Sequence, residues 1–103
     1  MNRIDRITKM EKNLDASAEA IAELSAALDK YEAARKAWKE LSDYYGSNRW
    51  MSDFEADEAG KLPKDLKRGV LSEDAVYDLI TDNRELVSRM LEIARDAVLN
   101  NLI

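Results

Sequence analysis

The chain contains no cysteine and no histidine. Without cysteine there are no disulfides, no thiolate nucleophile and no thiolate-ligated zinc. Without histidine, the usual general base near neutral pH is missing, and with it the Ser-His and Cys-His pairs. Di-iron bundle sites of the Glu-x-x-His type are excluded as well. An enzyme built from this sequence would depend on carboxylates, lysines, tyrosines or a carboxylate-held Mg²⁺. We therefore read the chain as non-catalytic, with no cofactor and no metal. Long apolar runs are also absent, and the longest fall far short of the ~20 residues that span a bilayer. The opening Met1-Asn2-Arg3-Ile4-Asp5-Arg6 alternates charged and apolar residues, unlike a secretory signal. A cytoplasmic protein without membrane contact is the expectation.

Glycine and proline are scarce and local. Gly46, Gly60, Pro63 and Gly69 are the only ones, so residues 1–45 hold no helix breaker. Across that stretch Ile7, Met10, Leu14, Ile21, Leu24, Leu28, Tyr31, Ala34, Trp38, Leu41 and Tyr45 recur at spacings of three and four. This is the pattern of a long amphipathic helix with one buried stripe. Part of it reads as coiled-coil heptads, with Ile7, Leu14, Ile21 and Leu28 on one row and Met10, Ser17, Leu24, Tyr31 and Trp38 on the other. Beyond Tyr31 the first row meets Arg35 and the stripe drifts, as it does on a helix that keeps 3.6 residues per turn. Asn2, with Asp5 three residues later, reads as the N-cap, and Gly46 reads as the stop.

Residues 46–71 read as a connector. Ser47 or Ser52 can cap a short helix, Ser52 in the Ser-Asp-Phe-Glu form of a capping box. Gly60 followed by Leu62 and Pro63 reads as that helix's end. Pro63–Gly69 could add one further helical turn. A second long helix is expected over about 72–101, with Ser72 as cap, Glu73 and Asp74 in its first turn, and Leu71 stapled to Val76. Its apolar positions run Val76, Leu79, Ile80, Leu86, Val87, Met90, Leu91, Ala94, Ala97, Val98 and Leu102, a stripe wide enough for more than one neighbour. Asn83 interrupts it, either as a register-setting polar residue or at its edge.

These elements define one all-α domain over 1–103: a long antiparallel helical hairpin (first helix about 2–45, second about 72–101) joined by a connector with a short helix. Equal rise per residue lets the second helix reach back only to about residue 15 of the first. Ile4, Ile7, Met10 and Leu14 are then left uncovered. A homodimer that completes a helix bundle is the expected remedy.

Asp53-Phe54-Glu55-Ala56-Asp57, Gly60-Lys61-Leu62-Pro63 and the run from Leu66 to Leu79 resemble the uncharacterised bacterial family known as domain of unknown function 4298. The Asn2-Arg3-Ile4 opening and Tyr44-Tyr45-Gly46 are similar to it too. The resemblance implies a small, single-domain bacterial protein and brings no catalytic residue.

Charge narrows the partners. The net charge is −5, with no basic field to gather phosphates, so no nucleic acid is expected. Residues 72–103 hold three basic and seven acidic side chains and carry most of the imbalance. The acidic group Asp53, Glu55, Asp57 and Glu58 fails the calcium-loop pattern, because its sixth position is Glu58 and its twelfth is Lys64. A solvated acidic helix start accounts for it better. Lys61, Lys64, Lys67 and Arg68 could hold an anion, but neutralising the nearby carboxylates is the simpler account. Arg3, Arg6, Lys9 and Lys12 flank Ile4, Ile7 and Met10, yet Asp5 and Glu11 dilute any lipid-binding face.

Tyr44, Tyr45, Trp50, Phe54 and Tyr77 surround the connector. They suit either a plug closing the hairpin or an interface, with Trp50 the one most exposed to a partner. The interaction candidates are therefore Ile4, Ile7, Met10, Tyr44, Tyr45, Trp50, Phe54, Lys67, Arg68 and Tyr77. The expected role is a non-catalytic interaction or regulatory protein with a protein partner. An acidic inhibitor of a basic groove is the alternative. A carboxylate–lysine enzyme is a third reading, and it requires a concave pocket around Asp65, Lys67 and Tyr77.

Overall fold

The computed structural model describes residues 1–100. Those residues form four α-helices and one 3₁₀ turn, with no strand among them. The helices are α1 (Arg3–Ala33), α2 (Arg35–Tyr45), α3 (Asn48–Glu58) and α4 (Ala75–Leu99), and the 3₁₀ turn is Gly69–Leu71. Among the described residues no helix is long and apolar enough to cross a membrane. The chain divides into two compact units, Met1–Trp38 and the remainder from Lys39 onward.

The first unit is α1 and the start of α2. Asn2 caps α1: its side-chain oxygen accepts the Asp5 N–H at 2.8 Å, which satisfies one of the orphan donors of the first turn. The helix expected over 2–45 is interrupted once, at Ala34. The Ala34 N–H is shared between the carbonyls of Lys30 and Tyr31, each at 3.2 Å, the bifurcated bond common at helix ends. No residue there disfavours helix, since Ala33 and Ala34 are the strongest helix formers. The interruption falls where the apolar stripe changes rows, just before Arg35. No residue of α1 is buried.

In the second unit, Ser47 links α2 to α3. Its hydroxyl donates to the Tyr44 carbonyl at 2.6 Å and accepts the Trp50 N–H at 3.4 Å. Ser47, not Ser52, is thus the cap of α3, and Ser52 lies inside the helix. The far end of α3 is a complete Schellman motif. The Gly60 N–H bonds the Asp57 carbonyl and the Lys61 N–H bonds the Ala56 carbonyl, both at 3.0 Å. Gly60 sits at φ 70°, the left-handed conformation the motif requires. Gly46 ends α2 without adopting it; Gly60 is the sole glycine with positive φ among the described residues.

Pro63–Gly69 does not form the further helical turn that its Pro…Gly frame suggested. A single Leu66 N–H to Pro63 carbonyl bond closes a tight turn, and the 3₁₀ turn follows at Gly69–Leu71. Ser72 then donates its hydroxyl to the Gly69 carbonyl at 3.0 Å and accepts the Ala75 N–H at 3.2 Å. The α-helix proper starts at Ala75, three residues beyond Ser72. Glu73 and Asp74 therefore precede it, and Asp78 is the carboxylate of its first turn. Leu71 and Val76 are the only buried hydrophobic residues among those described, 6% and 3% exposed. The staple frame expected of them does not hold, because Val76 is the second residue of α4 and not the fourth, but together they form the small buried core of the unit. Asn100 closes α4, giving both its backbone and its side-chain N–H to the Asp96 carbonyl. The expected helix end at 101 and the stripe position Leu102 lie outside the described residues.

Candidate functional site

Starting α3 at Asn48 places Trp50 and Phe54 four residues apart on one helix face. Their rings stack at 5.2 Å between centroids and 16° between planes. Tyr45, at the end of α2, meets the other side of Trp50 edge-on, again at 5.2 Å. The indole N–H donates to the Val70 carbonyl at 2.8 Å, which ties α3 to the 3₁₀ turn. Trp50 is thus held within its own unit by ring contacts and by its one polar atom. Tyr45 also reaches the loop before α4, donating its hydroxyl to the Glu73 carbonyl at 3.3 Å.

Tyr44 donates to the Asp53 carboxylate at 2.6 Å. The hydrogen bond to that anion, then desolvation, then the nearby negative charge push the Tyr44 hydroxyl up to about 12. The phenol stays a donor through the physiological range. Arg68 clamps the loop after α3: its guanidinium pairs with Asp57 at 2.5 Å and donates to the carbonyls of Pro63 at 2.6 Å and Leu66 at 3.3 Å. Both side chains of this ion pair are largely shielded, so it resists salt screening better than a surface pair.

Tyr44, Asp53, Leu62, Leu66, Lys67, Arg68, Val70 and Leu71 line an open notch of about 280 Å³. Leu62, Leu66, Val70 and Leu71 form its aliphatic lining, and Lys67 is exposed. Asp65, Lys67 and Tyr77 are all exposed, Tyr77 by 60%, and of the three only Lys67 lines the notch. Among the described residues no cluster of three or more acidic groups could hold a metal ion.

Ile4, Ile7 and Met10 stand exposed on α1, and so do Leu14, Ile21, Leu24 and Leu28 further along the same stripe. Of the ten candidates, Tyr44, Tyr45, Trp50, Phe54, Lys67 and Arg68 are gathered in the connector. Tyr77 lies on the first turn of α4, and the three α1 residues belong to the other unit. The Arg68–Asp57 pair is one instance of the carboxylate neutralisation expected of the basic run, whereas Val70, which also organises the connector, had no signal in the sequence. Asp57 lies eleven positions from Arg68, and Val70 contributes a backbone carbonyl that no side-chain pattern reveals.

Residues 7–93 match the family described as Domain of unknown function (DUF4298). The chain belongs to that family. The match runs from Ile7 of α1 through the whole connector to Ile93 of α4, so it takes in the aromatic cluster, the Arg68 clamp and the notch. Ile4 lies before it. No curated protein and no solved structure is significantly similar to the chain.

Proposed function

We propose that this DUF4298 protein is a small non-catalytic interaction or regulatory protein of the cytoplasm that works as a homodimer. In this reading two copies complete one helix bundle through the exposed apolar stripe of α1. The connector, with Lys67 lining its notch, is the surface left to meet a further protein partner. One observation carries the reading. Much of the apolar stripe of both long helices is exposed, with Leu14 61%, Ile21 70% and Leu91 72%, while Leu71 and Val76 are the only buried hydrophobic residues among those described. Contiguous apolar surface on this scale marks a contact face. The connector's aromatics, by contrast, already have partners inside their own unit.

Light scattering at tens of micromolar tests it. The expected mass is twice the 11.7 kDa of one chain. Ile21→Lys, which sets a charge in the stripe, should return a single-chain mass with helical circular dichroism retained. A single-chain mass for the unaltered protein would refute the proposal.

A further inference from the structure

We infer that the α1 seam docks on the same seam of a second copy, antiparallel, about a two-fold axis at residue 19. This specifies the geometry of the homodimer proposed above and rests on that reading.

Area sets the first condition. From Ile7 to Leu28 six large apolar side chains stand 40–70% exposed on one face of α1. Six such side chains on each of two copies, at roughly 100 Å² apiece, bring about 1,200 Å². That reaches the size of a specific stable interface.

Charge chooses the occupant and its direction. Residues 3–12 hold Arg3, Arg6, Lys9 and Lys12 against Asp5 and Glu11, a net +2. Residues 19–32 hold Glu19, Glu23, Asp29 and Glu32 against Lys30, a net −3. This polarity runs against the helix's own dipole, which favours anions at the N-terminus and cations at the C-terminus. A second α1 laid antiparallel brings each basic end beside an acidic end and each dipole beside its opposite. A parallel second copy would align like with like. Nor can α4 neutralise the acidic half, because over its whole length it carries Asp78, Asp82, Glu85, Glu92 and Asp96 against Arg84, Arg89 and Arg95.

Packing fixes the register. Antiparallel helices set the Ile7 row of one copy against the Met10 row of the other. With the axis at residue 19, Met10 meets Leu28, Leu14 meets Leu24, and Ser17 meets Ile21, each pair occurring twice. The one small polar residue of the seam thus faces a large apolar one, and every seam position from Met10 to Leu28 has a facing one, which a shift of the axis would take away. Ala18 and Ala20 flank the axis, where small side chains let the backbones come close.

The chain has no cysteine, so single cysteines report the pairing. Met10→Cys and Leu28→Cys proteins, made distinguishable by a mass tag, are mixed and oxidised. Leu14→Cys with Leu24→Cys provides a second pair, and Glu23→Cys on the outer face controls for random collision. Disulfides need Cα separations under about 7 Å. The expected result is that mixed Met10–Leu28 and Leu14–Leu24 products outnumber self-linked products several-fold and form far faster than links at position 23. Self-linked Leu28→Cys and Leu14→Cys as the main products would overturn the antiparallel direction. A two-chain mass with neither mixed product above the control would overturn the register. A single-chain mass of the cysteine-free protein would instead take away the dimer itself, a separate failure that light scattering reads directly.

Discussion

Trp50→Ala tests whether the connector is held together from within. The indole contributes in three ways. Its ring pairs with Phe54 and Tyr45, and aromatic pairs are worth about 0.5–1.5 kcal/mol each beyond area burial. Its N–H bonds the Val70 carbonyl, worth about 1 kcal/mol. Burial adds less than it would in a full core, because Trp50 is only half-buried, and full-core tryptophan truncations cost about 3–5 kcal/mol. These contributions overlap, so the expected loss is about 3 kcal/mol, set by that core range scaled for partial burial. Trp50→Phe keeps a ring for stacking and loses the hydrogen bond, so it should cost about 1 kcal/mol. Urea unfolding followed at 222 nm, at one fixed protein concentration because association shifts apparent stability, measures both. A double-mutant cycle with Phe54→Ala should return a coupling of about 1 kcal/mol. If Trp50→Ala unfolds within about 0.5 kcal/mol of the parent, the usual range of an inert surface change, the stacked cluster does not hold α3 to the 3₁₀ turn and the argument is wrong.

Two further outcomes follow from the local geometry. Gly60→Ala should destabilise by about 1 kcal/mol through the left-handed backbone alone, since a Cβ there meets open space; Gly60→Asn should cost less, and equal urea midpoints for glycine and alanine would contradict the Schellman assignment. Tyr44 makes an alkaline prediction: its folded-state value is raised to about 12 from 10.0, so the folded state holds the proton more tightly. Its contribution to stability is fully present below pH 10 and is lost as pH rises from 10 to about 12, and the partly exposed setting keeps it small. Ultraviolet titration of the phenolate should show the last-ionising of the four tyrosines disappear in Tyr44→Phe and move down in Asp53→Asn; a titration unchanged by both would refute the Tyr44–Asp53 bond.

The features legible in the sequence are those written in a few adjacent residues. The Asn2 cap and the Gly60 stop each depend on a residue type at a fixed short offset, and the structure places both. The choice between Ser47 and Ser52 was not local. Both serines can cap, but only a helix begun after Ser47 brings Trp50 into helical register with Phe54 and within reach of Tyr45. Aromatic packing decided what capping chemistry left open. The break at Ala34 had no signal at all, because Ala33 and Ala34 favour helix as strongly as any residue. The Asp57–Arg68 clamp was legible only as a general neutralisation of the carboxylates at 53–58 by the basic run at 61–68. Its partners are eleven residues apart across an irregular turn, and no periodicity links them.

The α1 seam shows how far such reading extends. Apolar spacing announces that a stripe must be covered, but hydrophobic attraction is non-directional and does not say by what. Orientation comes from groups with sign and size. In α1 those are the basic first turns, the acidic second half and the small residues between them. The same seam with its charges exchanged end for end would bury as much area and would suit its own dipole. It would then have no electrostatic reason to meet an antiparallel copy of itself. The order of charges along α1, more than its hydrophobicity, is therefore what specifies a partner.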